Sequence, residues 1–131
     1  MSKIPSGLWF TQSHEWVKQD DEGNLVVGIT DYAQTLLGDL VYIELPDVGD
    51  VISAEEDCAV IESVKAASDI YCPMAGQIIE TNETLNNDPS KVNNSPYDEG
   101  WLFKLQADHV EDLNNLLTAE EYHQQVADEA H

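Results

Sequence analysis

Short apolar segments separated by turn-forming residues run through the first hundred residues of this chain, and they constrain its fold more than any other feature. Residues 15–19 (EWVKQ) and 25–30 (LVVGIT) flank the turn-rich stretch DDEGN, a pattern typical of a β-hairpin. Further strand patterns lie at 40–45, 57–63, 68–73, 75–82 and 101–106. A chain with many short strands predicts a small β-sandwich or barrel.

Helix signals are confined to one short internal segment and to the C-terminal part of the chain. In TDYAQTLLGD, Thr30 or Asp31 can cap a helix and Gly38 can end it. Two C-terminal segments, HVEDLNNLL and AEEYHQQVADEA, are each preceded by a residue that starts a capping-box pattern. These patterns are Asp108 with Glu111 and Thr118 with Glu121. The fold class is therefore predicted to be mainly β with C-terminal helices at the periphery.

The length and charge of the chain bound its organisation and its partners. At 131 residues it has room for one domain over 1–131, with a strand core at about 8–106 and C-terminal helices at about 108–128. It has five Lys, no Arg and 26 acidic residues, so its net charge is −21. The negative electrostatic field that this charge creates repels nucleic acid and anionic membranes. A protein partner should present a basic or a small neutral surface.

No targeting, membrane or metal-binding signal is visible in the sequence. The stretch MSKIPSGLWF has no charged leader followed by an apolar core, and no Arg-rich transit segment is present. No apolar run approaches the ~18 residues of a membrane span. The four histidines, one of them the C-terminal His131, lie on separate predicted elements without ligand spacing. We therefore expect a protein of the bacterial cytoplasm rather than the mitochondrion, with no metal and no membrane partner.

Lys65 is a rare cation among small and apolar residues, between two segments predicted to be strands of nearly equal length. A catalytic amine is disfavoured, because the neighbouring carboxylates Glu62 and Asp69 favour the ammonium form over the nucleophilic free amine. A solvated lysine that keeps a sheet edge soluble is the simplest alternative. The third interpretation is a modification site at a hairpin tip. The turn lacks Asn-Gly, and Val64 disfavours positive φ, which indicates a type I or three-residue turn.

Four segments of the chain strongly resemble the H protein family of the glycine cleavage system. They are ESVKAASDIYCPMAG at 62–76, SHEWV at 13–17, GITDYAQTLLGDLVYIELPDVG at 28–49 and PYDEGWLFKL at 96–105. The resemblance runs from about Trp9 to the C-terminal helices. Biotin carriers have a related fold but flank their lysine with methionines, whereas Val64 and Ala66 flank Lys65 here.

The resemblance implies a barrel-sandwich hybrid of two small sheets, like lipoyl and biotinyl carriers, with Lys65 on an exposed β-hairpin. It implies that Lys65 carries lipoic acid in amide linkage, and that the protein is a carrier and not an enzyme. The implied partners are glycine decarboxylase with pyridoxal phosphate, aminomethyltransferase with tetrahydrofolate, dihydrolipoyl dehydrogenase with FAD, and a lipoate-attaching enzyme. The carrier would take an aminomethyl group from the first to the second and pass electrons to the third.

The same resemblance implies roles for residues around the lysine and at a distance from it. Glu62, Ser63, Val64 and Ala66 form the setting in which the attaching enzyme recognises Lys65. The arm, or the aminomethyl group that it carries, is expected to contact Ser13, Glu15 and Asp69. No catalytic residue is expected.

Two other functions fit the sequence. A lipoate-relay protein, which donates lipoyl groups to other carrier domains, would contain the same ESVKA segment. An unmodified acidic binding module would have the same composition. Intact mass distinguishes an unmodified binding module from a lipoylated protein. Reconstituted glycine–bicarbonate exchange distinguishes a lipoate-relay protein from a glycine cleavage carrier.

Cys58 and Cys72 each lie seven residues from Lys65, so their relative position depends on the register of the predicted hairpin. A turn centred on Lys65 places the two cysteines opposite each other. A turn centred on the Val64–Lys65 bond pairs Cys58 with Tyr71 instead. The first register is the one we predict. In a reducing compartment both cysteines should be free thiols that pack as small hydrophobic side chains.

Overall fold

A computed structural model describes residues 4–5 and 7–129 of the chain. Its larger sheet has six antiparallel strands in the order β1-β2-β3-β9-β8-β5. The bounds of these strands are β1 Trp9–Phe10, β2 Glu15–Gln19, β3 Leu25–Ile29, β5 Val51–Ile52, β8 Gly76–Thr81 and β9 Phe103–Ala107. The hairpin predicted around DDEGN is confirmed as β2–β3, in which Val17 pairs with Val27.

The smaller sheet contains the segments on either side of Lys65. It has three antiparallel strands in the order β4-β6-β7, with bounds β4 Leu40–Glu44, β6 Asp57–Ser63 and β7 Ala67–Tyr71. The apolar side chains of both sheets form one shared core, which contains Val27 and Leu105 of the larger sheet and Ile43 and Ile61 of the smaller one. Burial of these alternating apolar residues is what holds the two sheets face to face.

Within the described residues, three α-helices and two 3₁₀ helices lie outside the sheets. They are α1 Asp31–Leu37, a 3₁₀ helix Glu83–Asn86, α2 Ser90–Asn94, a second 3₁₀ helix Val110–Asn115 and α3 Ala119–Glu129. The predicted ends of α1 are confirmed. Thr30 accepts the Ala33 N–H with its hydroxyl at 3.2 Å, and Gly38 follows the helix with φ 85°. No helix within the described ranges is long and apolar enough to cross a bilayer.

The two predicted capping boxes have different outcomes. The box of α3 is confirmed, because Thr118 N–H donates to Glu121 Oε1 at 2.9 Å and Glu121 N–H donates to Thr118 Oγ1 at 3.2 Å. The box at Asp108 is wrong, because the 3₁₀ helix begins two residues later and has no side-chain cap. The physical reason is that the Asp108 N–H is bonded to the Ala75 carbonyl at 3.0 Å, which keeps this residue at the end of the β8–β9 ladder.

The C-terminal segment is fastened over the start of β2 by a small second core. The rings of Phe10 and Tyr122 stack with centroids 4.7 Å apart. Phe10 also exchanges two backbone hydrogen bonds of 2.8 Å with Leu117. Both aromatic rings are fully buried beside Trp16. This packing fixes residues 11–14, the loop that joins β1 to β2.

Trp16 provides a test of how tightly β2 is held. It lies directly opposite Gly28, and a Cβ built at Gly28 would lie 2.6 Å from Trp16 Cε2. The buried indole cannot move freely, because its Nε1–H donates to the Pro96 carbonyl at 2.8 Å. We expect Gly28→Ala to lower the free energy of unfolding by about 2 kcal/mol in urea denaturation.

The matched control for that substitution is Gly49→Ala. Gly49 has φ 100° but nothing within 4 Å of a built Cβ. Gly49→Ala should therefore lower the free energy of unfolding only through backbone strain, by about 1 kcal/mol. An equal effect at the two positions would mean that the Trp16 contact does not limit packing.

Candidate functional site

Lys65 lies in the turn between β6 and β7, and its side chain is exposed. The Ser63 N–H donates to the Ala66 carbonyl at 2.7 Å and closes the turn around Val64 and Lys65. The Ser63 hydroxyl accepts the N–H groups of Lys65 and Ala66, each at 3.1 Å. None of these residues has positive φ, as expected for Val64. The backbone at the base of the lysine is therefore held by hydrogen bonds, while the lysine side chain stays exposed.

The register of this hairpin corrects the prediction for the cysteines. Val60 pairs with Asp69 and Ile61 with Ser68, so the turn is centred on the Val64–Lys65 bond and not on Lys65. Cys58 therefore does not lie opposite Cys72. It does not pair with Tyr71 either, because Tyr71 pairs with Asp57 across a β-bulge that leaves Cys58 without a partner in the ladder. A bulge adds one residue to one strand, which simple counting from the tip does not detect.

The two thiols are nevertheless neighbours. The interaction with Cys72, together with burial, raises the pKa of the Cys58 thiol. The Cys58 S–H donates to the Ile70 carbonyl at 3.5 Å, and the Cys72 S–H donates to the Met74 carbonyl at 3.1 Å. Both cysteines are free, and Cys72 is fully buried in the main core. They pack as small apolar side chains, as the sequence indicates.

Ser13 and Glu15, two of the residues expected to contact the arm, line a cavity of about 480 Å³. The cavity lies where the β1–β2 loop meets the end of β7 and the segment before α3. Its lining residues are Phe10, Thr11, Gln12, Ser13, Glu15, Glu55, Tyr71, Cys72, Pro73, Asn115, Leu116 and Leu117. A cavity of this size has room for a small organic group.

The Glu15 carboxyl group is the most unusual group in this cavity. Only 1% of the residue is exposed, and the hydroxyls of Thr11 and Ser13 both donate to Oε1 at 2.6 Å. The Tyr71 N–H points at Oε2 at 3.5 Å. Burial raises the pKa of Glu15, and the hydrogen bonds from Ser13 and Thr11 oppose this shift. No lysine forms an ion pair with Glu15 within the part of the chain that the structure describes.

A buried carboxylate without a cation is costly, and a cationic group that enters the cavity would lower that cost. The cavity therefore has the chemistry to bind a small ammonium group. Thr11 was not singled out from the sequence, although its hydroxyl also accepts the Glu15 N–H at 3.0 Å. The pattern T-x-S-x-E is a signal that could have identified it, because a tight loop brings both hydroxyls to the same carboxylate.

His14 lies between the two cavity residues but does not itself line the cavity. Its φ is 73°, and its ring nitrogens contact the Tyr122 hydroxyl at 2.8 Å and Glu129 Oε1 at 3.1 Å. These contacts hold the β1–β2 loop against α3 and give His14 a packing role. No cluster of His, Cys, Asp or Glu among residues 4–5 and 7–129 could hold a metal ion, and His131 lies outside the described residues.

Asp69 lies between the lysine and the cavity. It is exposed on β7, four residues from Lys65 and two from Tyr71, which lines the cavity. Residues two apart on a strand share a face, so the side chains of Asp69 and Tyr71 lie on the same side of β7. Asp69 does not line the cavity itself. The structure thus brings Ser13 and Glu15 together and places Asp69 on the path from the hairpin tip.

The residues predicted to be recognised around Lys65 are all accessible to another molecule. Glu62 and Ala66 are exposed, Ser63 is half-buried, and Val64 is 69% exposed. Lys65 itself forms no ion pair with another described residue. Its amine is therefore available for reaction.

Comparison with known proteins gives consistent matches over nearly the whole chain. A family model described as Glycine cleavage H-protein matches residues 8–129. Two proteins named Glycine cleavage system H protein are close in sequence. That of Psychrobacter sp. (strain PRwf-1) is 51% identical over 122 residues, covering 93% of this chain and 97% of the relative. That of Shewanella baltica (strain OS155) is 52% identical over 129 residues, covering 98% and 99%.

A solved structure matches as well. The crystal structure of a glycine cleavage system H protein from Mycobacterium marinum superimposes with a TM-score of 0.86 at 41% identity. It covers 95% of this chain and 99% of the other. This match confirms the mainly β barrel-sandwich hybrid expected from the sequence.

Proposed function

Because the chain belongs to the glycine cleavage H-protein family, we propose that Lys65 is its site of lipoylation and that the cavity at Glu15 receives the end of the lipoyl arm. The protein is a lipoyl carrier and not an enzyme. The observation that carries the proposal is the pairing of an exposed, hydrogen-bonded lysine turn with a cavity that contains a buried carboxylate without an ion pair to any described lysine.

The lysine turn has the features that a swinging arm requires. Ser63 fixes the base of the arm, and the exposed amine of Lys65 forms the amide. A lipoyl group held in amide linkage by Lys65 would supply a redox-active disulfide, suited to take up an aminomethyl group from glycine decarboxylase, to give it up to aminomethyltransferase and to pass electrons to dihydrolipoyl dehydrogenase. An arm of about ten bonds extends roughly 14 Å from the backbone. Tethering to one rigid point gives each partner a high local concentration of the arm.

The residues along β7 and in the cavity have complementary roles. Asp69 is exposed on β7, four residues from Lys65, and shares a face of the strand with Tyr71, which lines the cavity. Glu15 would bind the ammonium of the carried group through its carboxylate, while Ser13 and Thr11 hold that carboxylate in place. A carboxylate beside an amine favours the protonated form. By keeping the amine protonated, Glu15 would prevent its nitrogen lone pair from breaking the carbon–sulfur bond that holds the carried group, and the cavity walls would limit access of water.

Two measurements test the proposal. Intact mass of the protein isolated from a lipoate-supplied bacterium should show one lipoyl increment, and peptide analysis should place it on Lys65. The lipoylated protein should then support glycine–bicarbonate exchange by purified glycine decarboxylase. A lipoylated protein that supports no exchange would favour a lipoate-relay role, and an unmodified protein would favour a simple binding module. The cytoplasmic location stays a prediction.

We expect the carrier to find its partners by electrostatic steering. With a net charge of −21, encounter with basic patches should be fast at low salt and slower as salt screens the field. The exchange rate at sub-saturating carrier should fall roughly tenfold between about 10 mM and 150 mM salt. The control replaces the carrier by free lipoamide, which has no protein charge. Equal salt dependence of the two acceptors would show that steering plays no part.

A further inference from the structure

Four exposed apolar side chains lie close to Lys65. Leu36 is 56% exposed, Val41 56%, Tyr42 50% and Val64 69%. In the described part of the chain, the other large apolar side chains with comparable exposure, Val48 and Val51, belong to the turn after β4 and to β5. Isolated exposed apolar residues are common, but a group of them on one surface indicates an interaction site. We call these four residues the tip patch.

The segments that contain the tip patch converge on the lysine turn. Lys65 packs against Gly38, two residues after Leu36, so closely that a Cβ at Gly38 would lie 3.1 Å from Lys65 Cε. The Val64 N–H donates to the Asp39 carbonyl at 3.1 Å. Tyr42 pairs with Glu62 across the β4–β6 ladder. The end of α1, the start of β4 and the turn therefore form one continuous surface.

A β-bulge accounts for the exposure of two adjacent apolar residues on β4. Leu40 pairs with Ser63 and Tyr42 with Glu62, so Val41 is the extra residue. In a regular strand, neighbouring side chains point to opposite faces, and one of Val41 and Tyr42 would enter the core. The bulge changes the direction in which the next side chain points, so both side chains stay exposed. Val41 and Tyr42 are thus both exposed to solvent, whereas a regular strand would bury one of them.

Acidic side chains border the tip patch. Four exposed acidic residues lie on or next to the three strands of the smaller sheet. Asp39 precedes β4 and Glu44 ends it, while Glu62 lies on β6 and Asp69 on β7. An apolar centre with a charged border is the usual anatomy of a specific protein interface. The matching partner has an apolar recess bordered by basic residues.

The position of the reacting atom identifies which partner must cover this surface. An enzyme that modifies the Lys65 amine has to bring Nζ into its own active site, so the few ångströms around the turn become buried against it. Partners that act on the far end of an arm roughly 14 Å long do not need that contact. We propose that the tip patch is the docking surface for the lipoate-attaching enzyme, an inference that rests on the proposed lipoylation of Lys65.

The reaction that this docking serves is amide formation from an acyl adenylate. The Lys65 ammonium loses a proton to a base, and its nitrogen forms a bond to the carbonyl carbon of lipoyl adenylate. The carbon–oxygen bond to phosphate breaks, and AMP leaves with the electron pair. ATP and lipoic acid supply the adenylate on the enzyme. The tip patch takes no part in these bonds and acts only in binding.

The test compares lipoylation of patch and control variants by a purified ATP-dependent lipoate-attaching enzyme, with intact mass as the readout. The patch variant combines Leu36→Ser with Val41→Ser, which leaves the lysine turn unchanged. We expect its KM to rise roughly tenfold, with kcat within about twofold of the unsubstituted protein, because apolar burial is lost only from binding. The control is Val51→Ser, at a valine that is 76% exposed on the other sheet and should show no change.

Other outcomes overturn the inference in distinguishable ways. Unchanged KM in the patch variant, with normal lipoylation of the unsubstituted chain, overturns the docking surface alone. No lipoylation of the unsubstituted chain overturns both this inference and the proposed function.

In a second experiment, the patch variant is lipoylated to completion and offered to glycine decarboxylase. A loss of loading there, with unchanged lipoylation, would assign the surface to the decarboxylase instead. Thermal unfolding of each variant by circular dichroism excludes a folding defect.

Discussion

Lys65→Arg is expected to fold as the unsubstituted chain does, to gain no lipoyl mass and to support no glycine–bicarbonate exchange. Arginine keeps the positive charge and most of the side-chain length, but its guanidinium does not form the amide. The turn should survive, because it is closed by Ser63 and by backbone groups and not by the lysine side chain. The loss should therefore be complete at an unchanged unfolding temperature.

The matched control is Lys18→Arg, at another exposed lysine, on β2. It should acquire one lipoyl increment and retain full exchange activity. Intact mass after incubation with the attaching enzyme, ATP and lipoic acid measures both variants. A lipoyl increment on the Lys65→Arg chain would mean that another lysine carries the arm and that the assignment of Lys65 is incorrect.

Glu15→Gln is expected to have opposite effects on function and on stability. In the loaded carrier, the amide cannot hold the carried ammonium as a carboxylate does. A hydrogen bond to a charged group contributes about 1.5–3 kcal/mol, so spontaneous release of ammonia should accelerate roughly 10- to 100-fold. Ammonia release from the loaded carrier, without aminomethyltransferase, measures this effect. The control is Asp69→Asn, whose exposed side chain should have a smaller influence.

The stability effect of Glu15→Gln follows from the direction of the pKa shift. Burial raises the pKa of Glu15 above its unfolded value near 4.5, so the folded state binds the proton more tightly. The stability that this group contributes is complete below the unfolded pKa and is lost as pH rises through the folded pKa. The amide that replaces the carboxyl group in the variant does not titrate. Without the arm, the variant should be more stable than the unsubstituted protein at about pH 8, by on the order of 1 kcal/mol.

That advantage should shrink as the pH falls toward 4.5, because the unsubstituted protein then gains the proton on Glu15. Urea denaturation at several pH values between about 5 and 8 measures the difference. A constant difference across this range would show that Glu15 does not titrate there. Greater stability combined with faster ammonia release would indicate a carboxylate kept for function at a cost in stability.

Several local features could be predicted from the sequence because neighbouring residues determine them. Thr30 and Gly38 delimit α1 through bonds within one or two turns of helix, and Thr118 with Glu121 forms a capping box within four residues. The hairpin around Lys65 is local in the same way. Its register was predicted incorrectly because the turn is centred on the Val64–Lys65 bond rather than on Lys65. A bulge at Cys58, which counting from the tip does not detect, shifts the ladder by one further residue.

The family, the mainly β fold and the identity of the exposed lysine were thus available from the sequence alone, because local patterns and family-specific segments encode them. Tertiary structure alone decided the acidic cavity and the tip patch. Glu15 becomes a buried carboxylate in a cavity that Tyr71 and Leu117, both distant in sequence, also line. Val41 and Tyr42 become exposed together because β4 bulges against β6. Burial and exposure are properties of surfaces formed by several segments, and they arise only when the chain has folded.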